Sequence, residues 1–470
     1  MVLFFTLLRL ATAPTFGLGV DEAHYALYAM RLDWSYVDHP PLVGWLHAPF
    51  YLLFGTSPFL VRLPAILLFA CVSVLCYIYT LGFSRSRSTA LLAVLAINSS
   101  FMLNAMSLML LPDCLLLVLI FPCMALVRRI AEGGRWRDFL GLGIVLGLAG
   151  LAKYTAILFV PPILLYLLMK RQGRLLLSPK MVMAAFVALM IVTPVLYWNF
   201  LHDFISFRYQ GGHVLGPAKA SLSSFSISLL AQFGAYSPPL FLMAFYGFLK
   251  GFASRDDRIR LSVLFCGTLM LFFLYASLYE RTLPHWPSLF YLLFIPVGVH
   301  FLREGALRRK RNLLYASLGF SLFLTLFLYG ALAGKWLPFP DYKSPFRDIY
   351  GVEEMIRKAN GILAADPSRR KALAVTNWTL GSRAMYYGSA SGMRVFVLDD
   401  RRDQFDYWEP QAPVGWDLLF LNTHFHNAVL PERFSCGSYE PAGSLTISLK
   451  GGRVDDAAYI WCRNYQGEKR

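Results

Sequence analysis

The sequence predicts a polytopic α-helical membrane protein of about eleven transmembrane helices with a small α/β domain at its carboxyl end, and three observations predict it. Of 470 residues, 57% are hydrophobic and only 15% charged, with a mean hydropathy of +0.50; soluble domains carry about a quarter charged residues. The charge is also uneven: residues 1–334 hold 26 Lys+Arg and 12 Asp+Glu, whereas residues 335–470 hold 18 and 16. Within the first part, apolar runs recur near the length of about 20 residues that crosses a bilayer. Intrinsic disorder is excluded, because its signature is low hydrophobicity.

The spans read as 1–18, 58–82, 88–107, 111–128, 138–152, 154–169, 180–199, 226–250, 260–278, 285–302 and 312–333. The first is read as a span and not a cleaved leader, because no basic segment precedes it and Gly17-Leu18-Gly19-Val20 is a poor cleavage site. Charge orients the set. Loops after even-numbered spans carry 19 basic residues, among them Arg128, Arg129, Arg135, Arg137 and the run Arg308 to Arg311. The opposite loops carry five: Arg31, Lys153, Arg208, Lys219 and Arg281. The positive-inside rule makes the first set cytoplasmic. The net charge of +16 is then mostly topology, and nucleic acid is not an expected partner, since the basic residues lie in separate short loops.

Residues 19–57, 200–225 and 335–470 then share the outer side. The first segment holds Asp21, Glu22, Asp33 and Asp38, three histidines and six Trp or Tyr residues. Apolar spacing over 22–32 and Pro40-Pro41 predict two helices lying on the membrane surface. Asp21 and Glu22 sit where a helix begins, so they read either as capping carboxylates or as functional groups at an outer mouth. Asp113, after Pro112, and Lys153, between two spans, share that side, and ionisable groups at membrane depth face a cavity or a partner. His202, Asp203, Arg208, Glu280, Arg281 and His285 complete the outer set; several of these cations could meet a phosphate.

The tail alternates helix and strand signals: a helix over 346–365, another near 380–388, and strands over 372–375, 394–398, 417–422, 445–449 and 458–462. The acidic run from Asp399 to Glu409 is interrupted by Arg401 and Arg402 and reads as a solvated loop. Cys71, Cys76, Cys114, Cys123 and Cys266 fall in spans as packing residues. Cys436 and Cys462 remain as a pair that an oxidising compartment would allow to join.

The runs Asp21-Glu22-Ala23-His24-Tyr25 and Asp38-His39-Pro40-Pro41-Leu42 resemble the first outer loop of bacterial relatives of glycosyltransferase family 39, which includes the protein O-mannosyltransferases and the lipid A aminoarabinose transferases. Leu111-Pro112-Asp113, the segment Gly147 to Thr155, Trp198 to Asp203 and His285-Trp286-Pro287 match as well, so the resemblance covers roughly residues 15–300. It implies a C-type glycosyltransferase fold in residues 1–334, with a periplasmic α/β domain over 335–470. It implies transfer, with inversion, from a polyprenyl-phosphate-linked sugar such as an undecaprenyl phosphate donor to an extracytoplasmic acceptor: lipid A or other lipopolysaccharide, an envelope glycan, or a protein. The absence of a long repeat domain after residue 200 counts against a protein acceptor. By the match, Asp21 is the candidate base, supported by Glu22, and Asp113 orients the acceptor or a cation. Lys153, Arg208, Arg281 and His285 are candidates for the donor phosphate, and Asp38, His39 and Tyr25 for the acceptor or sugar pocket. A divalent metal at Asp21 and Glu22 is left open. The implied setting is the bacterial inner membrane, with active site and carboxyl terminus periplasmic. The rival reading is a transporter or flippase of lipid-linked sugars. Such a protein would place ionisable residues near the midplane, where this sequence has only Arg9 and Arg62.

Overall fold

A computed structural model describes residues 1–215, 220–305, 307–409 and 411–469, with side chains described outside 213–215; Lys219 therefore lies outside the described residues. Two compact units divide the chain. One comprises residues 1–10, 33–43 and 62–329, the other 11–32, 44–61 and 330–470.

The first unit is a helical membrane bundle. All eleven segments read as spans are helical. Among the described residues, five helices are both long and apolar enough to cross a bilayer unbroken: Pro58–Ser84, Pro112–Ala131, Pro179–Leu201, Asp257–Tyr279 and Arg308–Gly334. Two more are bent: Arg87–Asn98 meets Phe101–Leu108 at 72°, and Leu222–Ala235 meets Pro238–Phe252 at 108°. The remaining segments fall short of that length as single helices, among them Val2–Thr12, Trp136–Ala152 and Ser288–Glu304.

The first bend has a polar cause. Inside a bilayer a broken helix must satisfy its loosened backbone groups from side chains. Asn104 Nδ2 donates to the carbonyls of Asn98 and Ser100 at 2.7 and 2.8 Å. The Oδ1 atoms of Asn98 and Asn104 accept from Arg9 Nη2 at 2.7 and 2.9 Å, and the guanidinium lies 4.7 Å from the Phe69 ring centroid. Arg9 is thus a structural cation. The second bend follows Ser237, whose φ of 63° takes the chain out of the helix just before Pro238-Pro239.

Small residues let helices in this unit approach closely. A Cβ on Gly143 would stand 2.5 Å from the Ala184 carbonyl, and one on Gly147 would stand 2.7 Å from Ile191 Cβ. Trp136–Ala152 therefore lies against Pro179–Leu201 with almost no side chain between them, as membrane helices commonly do. This packing fixes where the first helix ends and Lys153 begins.

The second unit contains a five-stranded sheet: β1 (Lys371–Val375), β2 (Val395–Val397), β3 (Asp417–Thr423), β4 (Phe434–Leu449) and β5 (Gly452–Glu468). Their order is β2-β1-β3-β5-β4. β1 is parallel to β2 and β3, with Leu373 opposite Val395 and Leu419, while β5 runs antiparallel to β3 and β4. One face carries the helices Val352–Ala365 and Trp378–Gly388 over Leu373, Val375, Leu419 and Tyr459. The other face is built on Ala372, Phe420, Phe434 and Cys462, and Cys436 is disulfide-bonded to Cys462. In the acidic run, Asp403 is buried and caps the helix Gln404–Trp408 by accepting from the Phe405 amide at 2.9 Å.

The helix Val20–Met30 departs from the sequence expectation. It does not lie on a membrane surface: Glu22 through Ala29 are all buried, and Leu18, Ala23, Ala26 and Leu27 belong to the same core as Met355, Leu380 and Trp461. Its apolar face found a protein partner that a local pattern cannot reveal. The next helix, Leu42–Phe54, ends in exposed Leu52, Leu53 and Phe54, as an interfacial helix would.

Candidate active site

In the bundle, Pro112 opens the helix Pro112–Ala131 after an extended Leu111, which sets Asp113 in its first turn. Lys153 takes an extended conformation that stops Trp136–Ala152, and the chain resumes as a 3₁₀ turn over Tyr154–Phe159. The two side chains meet. Lys153 Nζ donates to both Asp113 carboxylate oxygens at 2.8 Å, with the residues 7% and 5% exposed. His285 Nε2 stands 3.9 Å from Asp113 Oδ2, His39 lies near enough to act on Asp113 electrostatically, and the Trp286 ring centroid is 6.0 Å from the ammonium. A buried charge pair needs its remaining groups satisfied, and the two histidines and the indole face are the polar groups beside it.

Residues 33–43 are tied to this bundle by four bonds. Trp198 Nε1 donates to Asp33 Oδ2 at 3.0 Å, Ser206 Oγ to the Tyr36 carbonyl at 2.8 Å, and Gln210 Nε2 to the Asp38 carbonyl at 2.7 Å; the Ser35 and Tyr154 hydroxyls are 3.3 Å apart. The Tyr36 phenol, buried, has its pKa pushed up by desolvation. Segments 38–42, 111–113, 147–155, 198–203 and 285–287, separate in the sequence, are therefore parts of this one unit. Tyr154 falls within the matched segment Gly147 to Thr155, but the sequence alone assigns no role to it or to Ser35, Ser206 and Gln210, since hydroxyls and amides are not conspicuous outside a fold.

Other predicted residues have surroundings of their own. Arg208 is exposed and donates to the Asp203 carbonyl of its own loop. Arg281 is exposed in the loop after Asp257–Tyr279. Asp21, Glu22 and Tyr25 belong to the second unit. There Glu22 is buried and accepts from the Gly19 amide at 2.9 Å, so it has the capping role that its position allowed. Asp21, half-buried, shares the first turn, where the helix dipole favours a carboxylate. Tyr25 is buried beside His24, and His24 is ringed by Tyr25, Tyr28, Trp378, Phe405 and Trp408 at centroid distances of 5.3–5.9 Å. Ser382 Oγ lies 3.3 Å from His24 Nδ1. A cavity of about 300 Å³ opens beside the start of this helix, lined by Gly17, Leu18, Lys335, Glu353, Arg357 and Tyr387 among others.

Among the described residues no three His, Cys, Asp or Glu side chains are grouped to hold a metal ion. At the acidic pair itself, Glu22 already gives one oxygen to a backbone amide. No step below is routed through a metal at Asp21 and Glu22.

Residues 38–198 match the family described as dolichyl-phosphate-mannose-protein mannosyltransferase. A curated relative, the lipid A galacturonosyltransferase RgtD of Rhizobium johnstonii, is 26% identical over 288 residues, and the match spans 56% of each chain. Two crystal structures of ArnT from Cupriavidus metallidurans superpose along nearly the whole chain. The apo form gives a TM-score of 0.66 at 14% identity, covering 98% of this chain and 97% of that one. The form bound to undecaprenyl phosphate gives 0.64 at 15% identity, covering 97% of each. The fold is therefore that of the C-type glycosyltransferases, a polytopic helical bundle with a small sheet domain near the carboxyl end. The family match lies across Asp113 and Lys153, and the chain is similar to these glycosyltransferases in sequence over that part and to ArnT in fold along nearly its whole length.

Proposed function

We propose that the protein transfers a sugar from a polyprenyl-phosphate-linked donor to an extracytoplasmic glycolipid acceptor of the lipid A or lipopolysaccharide class at the bacterial inner membrane. The observation that carries this reading is the buried Lys153–Asp113 pair, with His285 and His39 beside it. It is a cation held ready in a bundle whose fold mate was solved with undecaprenyl phosphate. The curated relative's name supports the acceptor class.

In this reading the acceptor hydroxyl attacks the anomeric carbon, and Asp21 accepts its proton. The bond from that carbon to the phosphate oxygen breaks, and the electron pair leaves with the polyprenyl phosphate. A single in-line displacement inverts the sugar. Lys153 stabilises the charge that grows on the leaving phosphate, and Asp113 keeps the ammonium aimed; fixed charge of this type is commonly the largest catalytic contribution. Arg208 and Arg281, both exposed, serve as outer cations for the arriving donor. Asp38 and His39 shape the sugar and acceptor pocket.

Transfer measured with purified enzyme and synthetic donor tests the assignment. Asp21→Asn should lower turnover by about 10²-fold or more with little change in donor affinity. Lys153→Ala should raise the donor KM and lower kcat while leaving the acceptor KM nearly unchanged. Intact transfer by Asp21→Asn would remove the base.

A further inference from the structure

The tail domain holds a second site. β1 ends at Val375 and leads through the helix Trp378–Gly388 to β2, on one side, whereas β3, on the other side of β1, ends at Thr423 and leads away toward β4 and β5. Chains that part in opposite directions beyond adjacent parallel strands leave a crevice at their carboxyl ends, which is where open α/β sheets bind ligands. Here the crevice is a cleft of about 460 Å³, within the size range of small-molecule sites.

We propose that this cleft binds a neutral sugar ring of the acceptor, which rests on the glycolipid-acceptor reading above and adds a recognition site separate from the reacting groups. Its lining includes Asn377, Phe425, His426, Asn427, Glu432 and Arg433. The half-buried Phe425 carries the Arg347 guanidinium over one ring face, 4.2 Å from the centroid, and its other face is the one offered to the C–H face of a pyranose. Around it are the groups that pair with hydroxyls. Asn377 spends its Oδ1 on Thr379 and Asn427 its Oδ1 on Asn422 Nδ2, so both amide N–H₂ groups remain as donors, with Glu432 as an acceptor.

Charge balance argues for a neutral ligand. Arg433 lies 2.8 Å from Asp400. A smaller cavity that shares Phe425 and His426 with the cleft holds Arg347 and the buried Arg383 against Asp348 and Asp455, and Arg383 Nη1 is 3.7 Å from Asp348 Oδ1. Three guanidiniums, those of Arg347, Arg383 and Arg433, stand among the carboxylates of Asp348, Asp400, Glu432 and Asp455, so a phosphate would find no surplus positive charge. His426 adds none: burial, then Arg383, lowers its pKa and keeps the ring neutral, with Nε2 3.3 Å from the Thr379 hydroxyl.

Saturation-transfer NMR on the full-length protein in detergent tests this, with deacylated and dephosphorylated lipopolysaccharide core oligosaccharide as one probe and inorganic phosphate as the other. The expected result is saturation of sugar ring protons, with affinity weakened about five- to tenfold in Phe425→Ala and in Asn427→Ala. Asn427 is exposed, so a loss there is not a loss of folding. Asp21→Asn should bind the oligosaccharide as the wild type does, so failure of the transfer reading and failure of this one give different results. Absence of saturation, equal affinity in both cleft variants, or displacement of the sugar by phosphate overturns the proposal.

Discussion

Asp113 and Lys153 hold their charges only because each has the other. Removing one partner of a buried pair strands the remaining charge, at about 3–5 kcal/mol, whereas replacing both with apolar groups can be nearly neutral. Thermal unfolding in detergent should therefore show Lys153→Met and Asp113→Leu each strongly destabilised, and the double variant recovered close to the wild type while still inactive. A double variant as unstable as the singles would mean that the pair is not the unit of stability. In the tail, burial and then Asp403 raise the Asp399 carboxyl to about 6. A carboxyl whose folded pKa is raised contributes stability that is full below its unfolded value near 4 and lost as pH rises through 6. Unfolding followed from pH 4 to 7 should show the tail domain weakening through that window, and Asp399→Asn should flatten the change. At this scale the sequence already marked Asp113, Lys153 and His285, because charges at the ends of apolar runs are conspicuous. The surroundings of His24 were not legible, since Trp378, Phe405 and Trp408 arrive from more than 350 residues away.

Among the elements, the contact between Trp136–Ala152 and Pro179–Leu201 is the most demanding. Gly143→Val would drive its side chain into the Ala184 carbonyl, and overpacking of this type costs about 1–3 kcal/mol. The variant should unfold at lower temperature and lose transfer in step, because Lys153 terminates the displaced helix; full activity at unchanged stability would show that the helices can part without moving Lys153. Helical character was readable from apolar length, but among the described residues five helices, or seven counting each bent pair as one, are long and apolar enough to span. The breaks were not readable. Ser237-Pro238-Pro239 did carry a signal inside the run 226–250, but Asn98-Ser99-Ser100 bends only because Arg9 and Asn104 satisfy the opened backbone. In the sheet, β1 and β3 match their predicted extents within a residue or so. β4 begins at Phe434 and not near residue 445, for its first half is rich in Ser, Gly and Pro, which weaken the strand signal, and pairing with β5 supplies the order that composition withholds.

For the molecule as a whole, the disulfide between Cys436 and Cys462, 26 residues apart, bears on sidedness as well as stability. Closing a loop of that length contributes roughly 3 kcal/mol, and such a bond persists only in an oxidising compartment. Alkylation of thiols in intact cells should find both cysteines blocked until a reductant is added, and reduction should lower the unfolding temperature of the tail domain. Freely alkylated cysteines would place the tail on the cytoplasmic side and overturn the proposed orientation.

The core shared by Val20–Met30 and residues 352–461 has a consequence for how the protein is made. The segment bearing Asp21 is synthesised more than 300 residues before the hydrophobic bed it occupies. Until then Ala23, Ala26 and Leu27 have no lasting shelter, so a chain halted before residue 352 carries an unanchored Asp21. Neither segment can finish folding without the other.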